Sequence, residues 1–93
     1  MPDSSPELRP NPEVVVQTTG DERLLVHLAT NQIYSLNSTA VRLWELIDHG
    51  HPPSRLATEL AREFDADEVD LAAEVAGLIE AMVKEDLLLR SDL

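Results

Sequence analysis

The first third of the chain carries apolar residues at the spacing of β-strands. Leu24, Val26 and Leu28 recur at every second position, which is typical of a strand with one apolar face. A run of valines precedes them, and Gly20 between the two segments is suited to a hairpin turn because it adopts positive φ without strain. The pattern predicts an antiparallel meander of three strands, at residues 13–18, 23–29 and 32–36.

After residue 36 the apolar spacing becomes that of helices. Asn37 or Ser38 is suited to cap the first helix, because either side chain can accept the unpaired N–H groups of the first turn. Ser54 and Asp67 are suited to the same role in two further helices. The apolar residues of each segment then recur at i, i+3, i+4 and i+7, the spacing of one buried stripe. The predicted helices cover about residues 38–48, 55–64 and 68–85.

The predicted element order is three strands followed by three helices. This order indicates an α+β fold with a three-stranded antiparallel sheet, arranged like a winged helix-turn-helix protein. Residues 1–12 contain four prolines and no hydrophobic period, so they are predicted to form a disordered tail. Residues 13–90 are predicted to form a single domain, in which residues 87–89 add a short extended or packing segment.

The charge of the chain argues against the usual ligand of a winged-helix fold. Eighteen acidic residues against seven basic ones give a formal net charge of −11 and a pI near 4.4. Nucleic-acid binding depends on neutralising phosphates with Lys and Arg, and residues 67–86 hold seven acids and one lysine. Nucleic acid and anionic membrane surfaces are therefore excluded as partners, whereas a basic peptide or protein surface is favoured.

The sequence offers little catalytic chemistry. It has no cysteine and no glycine-rich phosphate loop. Its histidines are His27, predicted to face solvent from its strand, and His49 and His51, which flank a glycine after the first helix. We therefore predict a protein that is not an enzyme and that uses neither a cofactor nor a metal. The lack of a signal peptide or membrane span predicts a cytoplasmic location.

The third predicted helix has two apolar stripes rather than one. The first is formed by Leu71, Val75, Leu78 and Met82, which are predicted to be core. Two interpretations of the second stripe are open: it packs under the sheet, or it forms a groove with the third strand where a peptide adds its backbone to the strand edge. The second stripe consists of Val69, Ala72, Ala76, Ile79 and Val83.

Several of these residues together resemble a known family. The segment Tyr34-Ser35-Leu36-Asn37, the helix residue Trp44, the apolar positions of the third helix and Leu87-Leu88 are similar to those of the PqqD-like family, the peptide-recognition elements of ribosomal peptide biosynthesis. The resemblance covers about residues 14–90. It implies a non-catalytic protein that binds the leader of a precursor peptide as an added strand on the third strand, against the third helix.

The resemblance also implies site residues. Tyr34 and Leu36 share the strand face predicted to be toward the core, so they are expected to support the site more than to touch the leader. Ala76→Glu is then expected to abolish binding by placing a desolvated charge in the groove. The implied peptide-binding residues are Gln32, Ile33, Tyr34, Ser35 and Leu36 on the strand, and Val69, Ala72, Ala73, Ala76, Ile79 and Val83 on the helix.

Three functions remain open from the sequence. The chain resembles the stand-alone leader-binding proteins of lasso-peptide pathways, which work with a leader peptidase and a cyclase. One alternative in the same family is the chaperone of pyrroloquinoline quinone (PQQ) synthesis, which delivers its precursor to a radical SAM enzyme. A third, from another class, is a degenerate winged-helix regulator that binds protein instead of DNA.

Overall fold

The computed structural model describes residues 7–91, with the side chains of residues 8–90. Within this range the predicted α+β class is confirmed: three antiparallel strands precede three helices. The elements are β1 (Glu7–Pro10), β2 (Val14–Thr19), β3 (Glu22–His27), β4 (Gln32–Leu36), α1 (Ser38–Asp48), α2 (Pro53–Phe64), α3 (Glu68–Lys84) and β5 (Leu88–Ser91).

The predicted meander is a three-stranded sheet in the order β2-β3-β4. Its register places Leu25 of β3 opposite Val16 of β2 and Tyr34 of β4. Leu25 and His27 point into the core, whereas Leu24 and Val26 point to the other side of the sheet. The alternating leucines and valines that predicted the strand are therefore on its outer face.

A second sheet of two strands pairs β1 with β5 in antiparallel register, Leu8 opposite Arg90. The prediction of a disordered tail over residues 1–12 is wrong for residues 7–12, which form β1 and its link to β2; residues 1–6 lie outside the described part. Leu8 is buried in the main core, and residues 88–91 supply the partner strand. The short-range pattern missed β1 because its partner is at the other end of the chain.

A polar network joins this second sheet to the first, in which Asn11 and His27 are buried and Asp86 is exposed. Asn11 donates from Nδ2 to the main-chain oxygen of Asp86 at 2.8 Å and to its Oδ2 at 3.2 Å. The N–H of Ala29 donates to Nδ1 of His27, so Nε2 carries the ring proton and donates to Asp86 Oδ2 at 3.2 Å. His27 is 1% exposed, so the expectation that it faces solvent is wrong. The histidine can be buried because Asp86, in the turn after α3, accepts its hydrogen bond.

Local signals set two of the three helix starts as predicted. Asn37 Oδ1 accepts the N–H of Ala40 at 2.8 Å at the start of α1, and Asp67 Oδ1 accepts the N–H of Val69 at 2.8 Å at the start of α3. Helix α2 instead begins at Pro53 and has no side-chain cap. Proline has no N–H, so its position at the start of the helix leaves one fewer unpaired donor to be capped. Asn37 thus joins β4 to α1 directly.

Candidate functional site

β4 is an edge strand. It pairs with β3 on one side, and no strand among residues 7–91 pairs with its other side. In an antiparallel ladder every second residue directs its N–H and C=O away from the neighbouring strand, so these groups of β4 are open to another chain. Ile33, on the face away from the core, is 64% exposed. The edge is therefore available as a template for an added strand.

A concavity of about 200 Å³ lies beside this edge. We call it the β4–α3 groove. Its walls come from β4 and the second half of α3, and α1 and the segment before β5 close its base. The lining residues are Tyr34, Ser35, Leu36, Asn37, Ala40, Leu78, Ala81, Met82, Glu85 and Leu87.

The base of the groove is apolar and rigid. Ala40, Met82 and Leu87 are buried, and Leu36 and Leu78 pack partly buried against the same core. Because α1 starts one residue after β4 ends, the cap at Asn37 fixes the strand relative to the helix that supplies Ala40. Such a base offers apolar contact area with little conformational entropy to lose on binding.

A hydrogen bond across the groove ties β4 to the end of α3. Tyr34 Oη donates to Glu85 Oε1 at 2.9 Å. This bond, followed by desolvation and by the negative charge of Glu85, raises the pKa of the Tyr34 phenol above its usual value. The phenol is therefore kept protonated, and the bond links the two walls of the groove.

The structure places the predicted strand residues largely as expected. Tyr34 and Leu36 point inward and are partly buried against the core, which is the facing predicted for them. Gln32, Ile33 and Ser35 are exposed. A peptide on this edge would meet the backbone of all five residues.

Most of the predicted residues of α3 lie on the side of the helix that faces away from the β4–α3 groove. Successive helical residues are rotated by about 100°, so the second stripe is turned roughly 120–180° from Leu78 for every member except Ile79. Ala76 and Ile79 line a different concavity of about 280 Å³, with Leu8 and Pro53. Among the other predicted residues of α3, Val83 is partly buried against the core. The side chains of Val69, Ala72 and Ala73 are exposed.

The residues of α3 that do face β4 belong to the stripe assigned to the core. Leu78, Ala81, Met82 and Glu85 occupy i, i+3, i+4 and i+7, so they form one face of the helix. Leu78 was expected to be fully buried but is only partly so. The signal available in the sequence was that Glu85 extends this stripe with a charged residue, which is rarely buried without a partner.

The outer face of the β2-β3-β4 sheet is a second apolar surface. The register aligns Val15, Val26 and Ile33 in one row across the three strands. Leu28 continues this face, since its N–H donates to the main-chain oxygen of Glu13 at 2.8 Å and prolongs the pairing of β2 and β3. We define the outer sheet face as Val15, Leu24, Val26, Leu28 and Ile33; Val15, Leu28 and Ile33 are exposed.

Among residues 7–91 no group of three or more side chains is arranged to hold a metal ion. His49 Nδ1 lies 2.8 Å from the main-chain oxygen of Glu45, and His51 Nδ1 lies 3.1 Å from that of Leu46. Both histidines therefore bond to the end of α1. None of the described helices is long and apolar enough to cross a membrane.

An open strand edge beside an apolar groove defines a class of domain that accepts a peptide as an additional strand. The sequence profile described as coenzyme PQQ synthesis protein D (PqqD) matches residues 22–88, which include β3, β4 and all three helices. The chain belongs to the PqqD family.

Relatives and solved structures agree with this family. The PqqA binding protein of Xanthomonas oryzae pv. oryzae, in two strains, is 33% identical over 86 residues, with 92% of this chain and 91% of the relative covered. The structure of lasso peptide synthetase B1 complexed with the leader peptide superposes with a TM-score of 0.81 at 25% identity, covering 89% of this chain and 98% of the other. TbiB1 in complex with the TbiA(beta) leader peptide shares the fold, with a TM-score of 0.78 at 24% identity over 86% and 93% of the two chains.

Proposed function

We propose that this protein is a non-catalytic adaptor that binds the leader region of a ribosomally synthesised precursor peptide and delivers the precursor to modifying enzymes. The observation that carries the proposal is the unpaired edge of β4 beside the apolar β4–α3 groove. Main-chain hydrogen bonds to such an edge supply affinity, and the side chains of the added strand that face the groove supply specificity.

The proposed pathway is lasso-peptide biosynthesis, with a leader peptidase and a cyclase as partners. The similarity to lasso peptide synthetase B1 with its bound leader supports this assignment. The runner-up is the PQQ-type peptide chaperone for a radical SAM enzyme, favoured by the identity to the PqqA binding proteins. No observation favours the winged-helix regulator.

A titration with synthetic leader peptides tests the proposal directly. The peptides are those of the short precursors encoded beside the gene, and backbone amide shifts are followed in the labelled protein. The largest shifts are expected in β4 and at Leu78, Ala81, Met82 and Glu85, because these residues line the groove. Amides on the opposite side of α3, such as Ala72 and Ala76, are expected to move much less. Binding that leaves β4 unperturbed would contradict the proposal.

We further propose that the outer sheet face is where the leader peptidase binds. The outer sheet face is bordered by acids, Glu13 at one end and Glu22 at the other, and the strand alternation places no Lys or Arg on it among the described residues. A second copy of the chain would bring like charges together, whereas an apolar patch with basic neighbours on an enzyme would be complementary. An added leader strand would extend this face past Ile33, so the enzyme would contact leader and adaptor together.

The substitution Val15→Lys is expected to lower peptidase processing of the precursor at least tenfold while leaving leader affinity unchanged. It places a charge in the apolar row but lies on β2, away from the groove. Thr18→Lys is the matched control, because Thr18 is exposed on the same strand but belongs to its other face. Processing rates are measured with purified peptidase and precursor. Equal rates for both variants would place the peptidase elsewhere.

A further inference from the structure

The β4–α3 groove has one charged residue in its lining. Glu85 stands at the end of α3, and every other lining side chain is apolar or neutral polar. Glu85 lies seven positions after Leu78, which places the two about 10.5 Å apart along the helix axis. The groove therefore has an apolar section and an acidic end.

The Glu85 carboxylate is held in place but its charge is not compensated. Oε1 accepts the hydrogen bond of Tyr34, a neutral donor. Glu85 forms no ion pair among the described residues, although Arg42 pairs with Glu63 at 2.7 Å and Arg23 with Glu45 at 3.1 Å. Its second oxygen therefore remains available to a cation from outside the chain.

We propose that Glu85 is a specificity-determining residue that selects leaders carrying a Lys or Arg beside the apolar residue that enters the groove. This inference rests on the proposed function and specifies the chemistry of its ligand. A lysine or arginine can donate to the free oxygen, forming a charge-assisted hydrogen bond. The net charge of −11 favours the approach of such a peptide.

The geometry also sets the spacing of the two recognised residues. Residues of a strand rise about 3.3 Å each, and residues on one face are two or four positions apart. For a leader strand aligned with the axis of α3, the distance of about 10.5 Å between Leu78 and Glu85 corresponds to about three strand residues. The basic residue is therefore expected two or four positions from the apolar residue that contacts Leu78.

A double-mutant cycle tests the proposal, using the leader that binds in the titration. Each Lys or Arg of that peptide is replaced in turn by Gln, and each peptide is titrated against the native protein and Glu85→Gln. The glutamine keeps an acceptor for Tyr34 and removes the charge. Either single change is expected to weaken binding about fivefold for one peptide position, the upper end of the range for a solvent-accessible ion pair. The double change is expected to weaken it little further.

Glu80→Gln is the matched control, because it removes the same charge from the other side of α3 and is expected to change affinity less than twofold. Additive effects at every basic position, equal losses for Glu85→Gln and Glu80→Gln, or a binding leader without Lys or Arg would each overturn the role of Glu85. In all three cases the leader still binds β4, so the proposed function stands. A failure of every leader to bind would reject the proposed function instead.

Discussion

Ala81→Arg is expected to weaken leader binding about 100-fold or more without unfolding the protein. Ala81 is exposed on α3 and lines the β4–α3 groove. An arginine there would fill the space where leader side chains enter, and it would lie one helical turn before Glu85, so it would also pair with the acid proposed to bind the leader. Arginine is a good helix former, so the helix itself should be little affected. A 100-fold loss corresponds to about 2.7 kcal/mol, comparable with the free energy of burying one large apolar side chain, which the arginine would displace from the groove.

Ala76→Arg is the matched control for this effect. Ala76 is also an exposed alanine of α3, but it lines the concavity on the far side of the helix. Leader affinity is therefore expected to stay within twofold of the native value. The same argument reverses the expectation for Ala76→Glu, which should bind the leader.

The measurement is the dissociation constant for the leader by fluorescence anisotropy, with thermal unfolding of each variant as the check on folding. If Ala76→Arg lost binding and Ala81→Arg kept it, the leader would bind on the side of α3 that carries Ala72 and Ala76 and not in the β4–α3 groove. If both variants kept binding, the leader would contact neither face of α3.

The elements of this fold could be predicted where the signal is local. Asn37 and Asp67 cap their helices through hydrogen bonds to residues two or three positions away, and the periodicity of the following residues sets the helix type. The meander likewise follows from the short turns at Gly20 and Asn31, both of which have positive φ. Such interactions are contained in a few consecutive residues.

The faces of these elements could not be predicted in the same way. Leu24 and Val26 are more apolar than His27, yet His27 is the buried one, because its partner Asp86 lies 59 residues further along the chain. On α3, both stripes are apolar, so periodicity alone does not decide which one meets β4. Val69, 77% exposed, shows that an apolar residue at the expected spacing can remain at the surface.

β1 illustrates the same limit at the level of an element. Its four residues include a proline and a single buried apolar side chain, Leu8, too little to indicate a strand. The strand exists because β5 pairs with it and Asn11 bonds to the turn before β5, and both partners lie at the far end of the sequence. The side of α3 that faces β4 has the same origin, since the packing of α3 depends on contacts made across the chain.

Trp44→Ala is expected to remove about 3–5 kcal/mol of stability, the usual range for truncating a buried aromatic residue. Trp44 is 5% exposed in the core of α1. A domain of 93 residues has roughly 5–14 kcal/mol in total, so the loss is a large part of it. The midpoint and slope of urea denaturation measure this change. Trp44→Phe is the control, because it retains an aromatic side chain in the same space and is expected to lose less.

Trp44 does not line the β4–α3 groove, so the folded fraction of Trp44→Ala is expected to bind the leader with native affinity. Leader at about 100 times its dissociation constant should then restore about 2.7 kcal/mol, because it binds the folded state alone. The measurement is urea denaturation of Trp44→Ala with and without leader. A variant that stays folded but fails to bind would instead place Trp44 in the site. If the folded fraction of Trp44→Ala binds the leader with native affinity, Trp44 belongs to the core beneath the groove and not to the binding site.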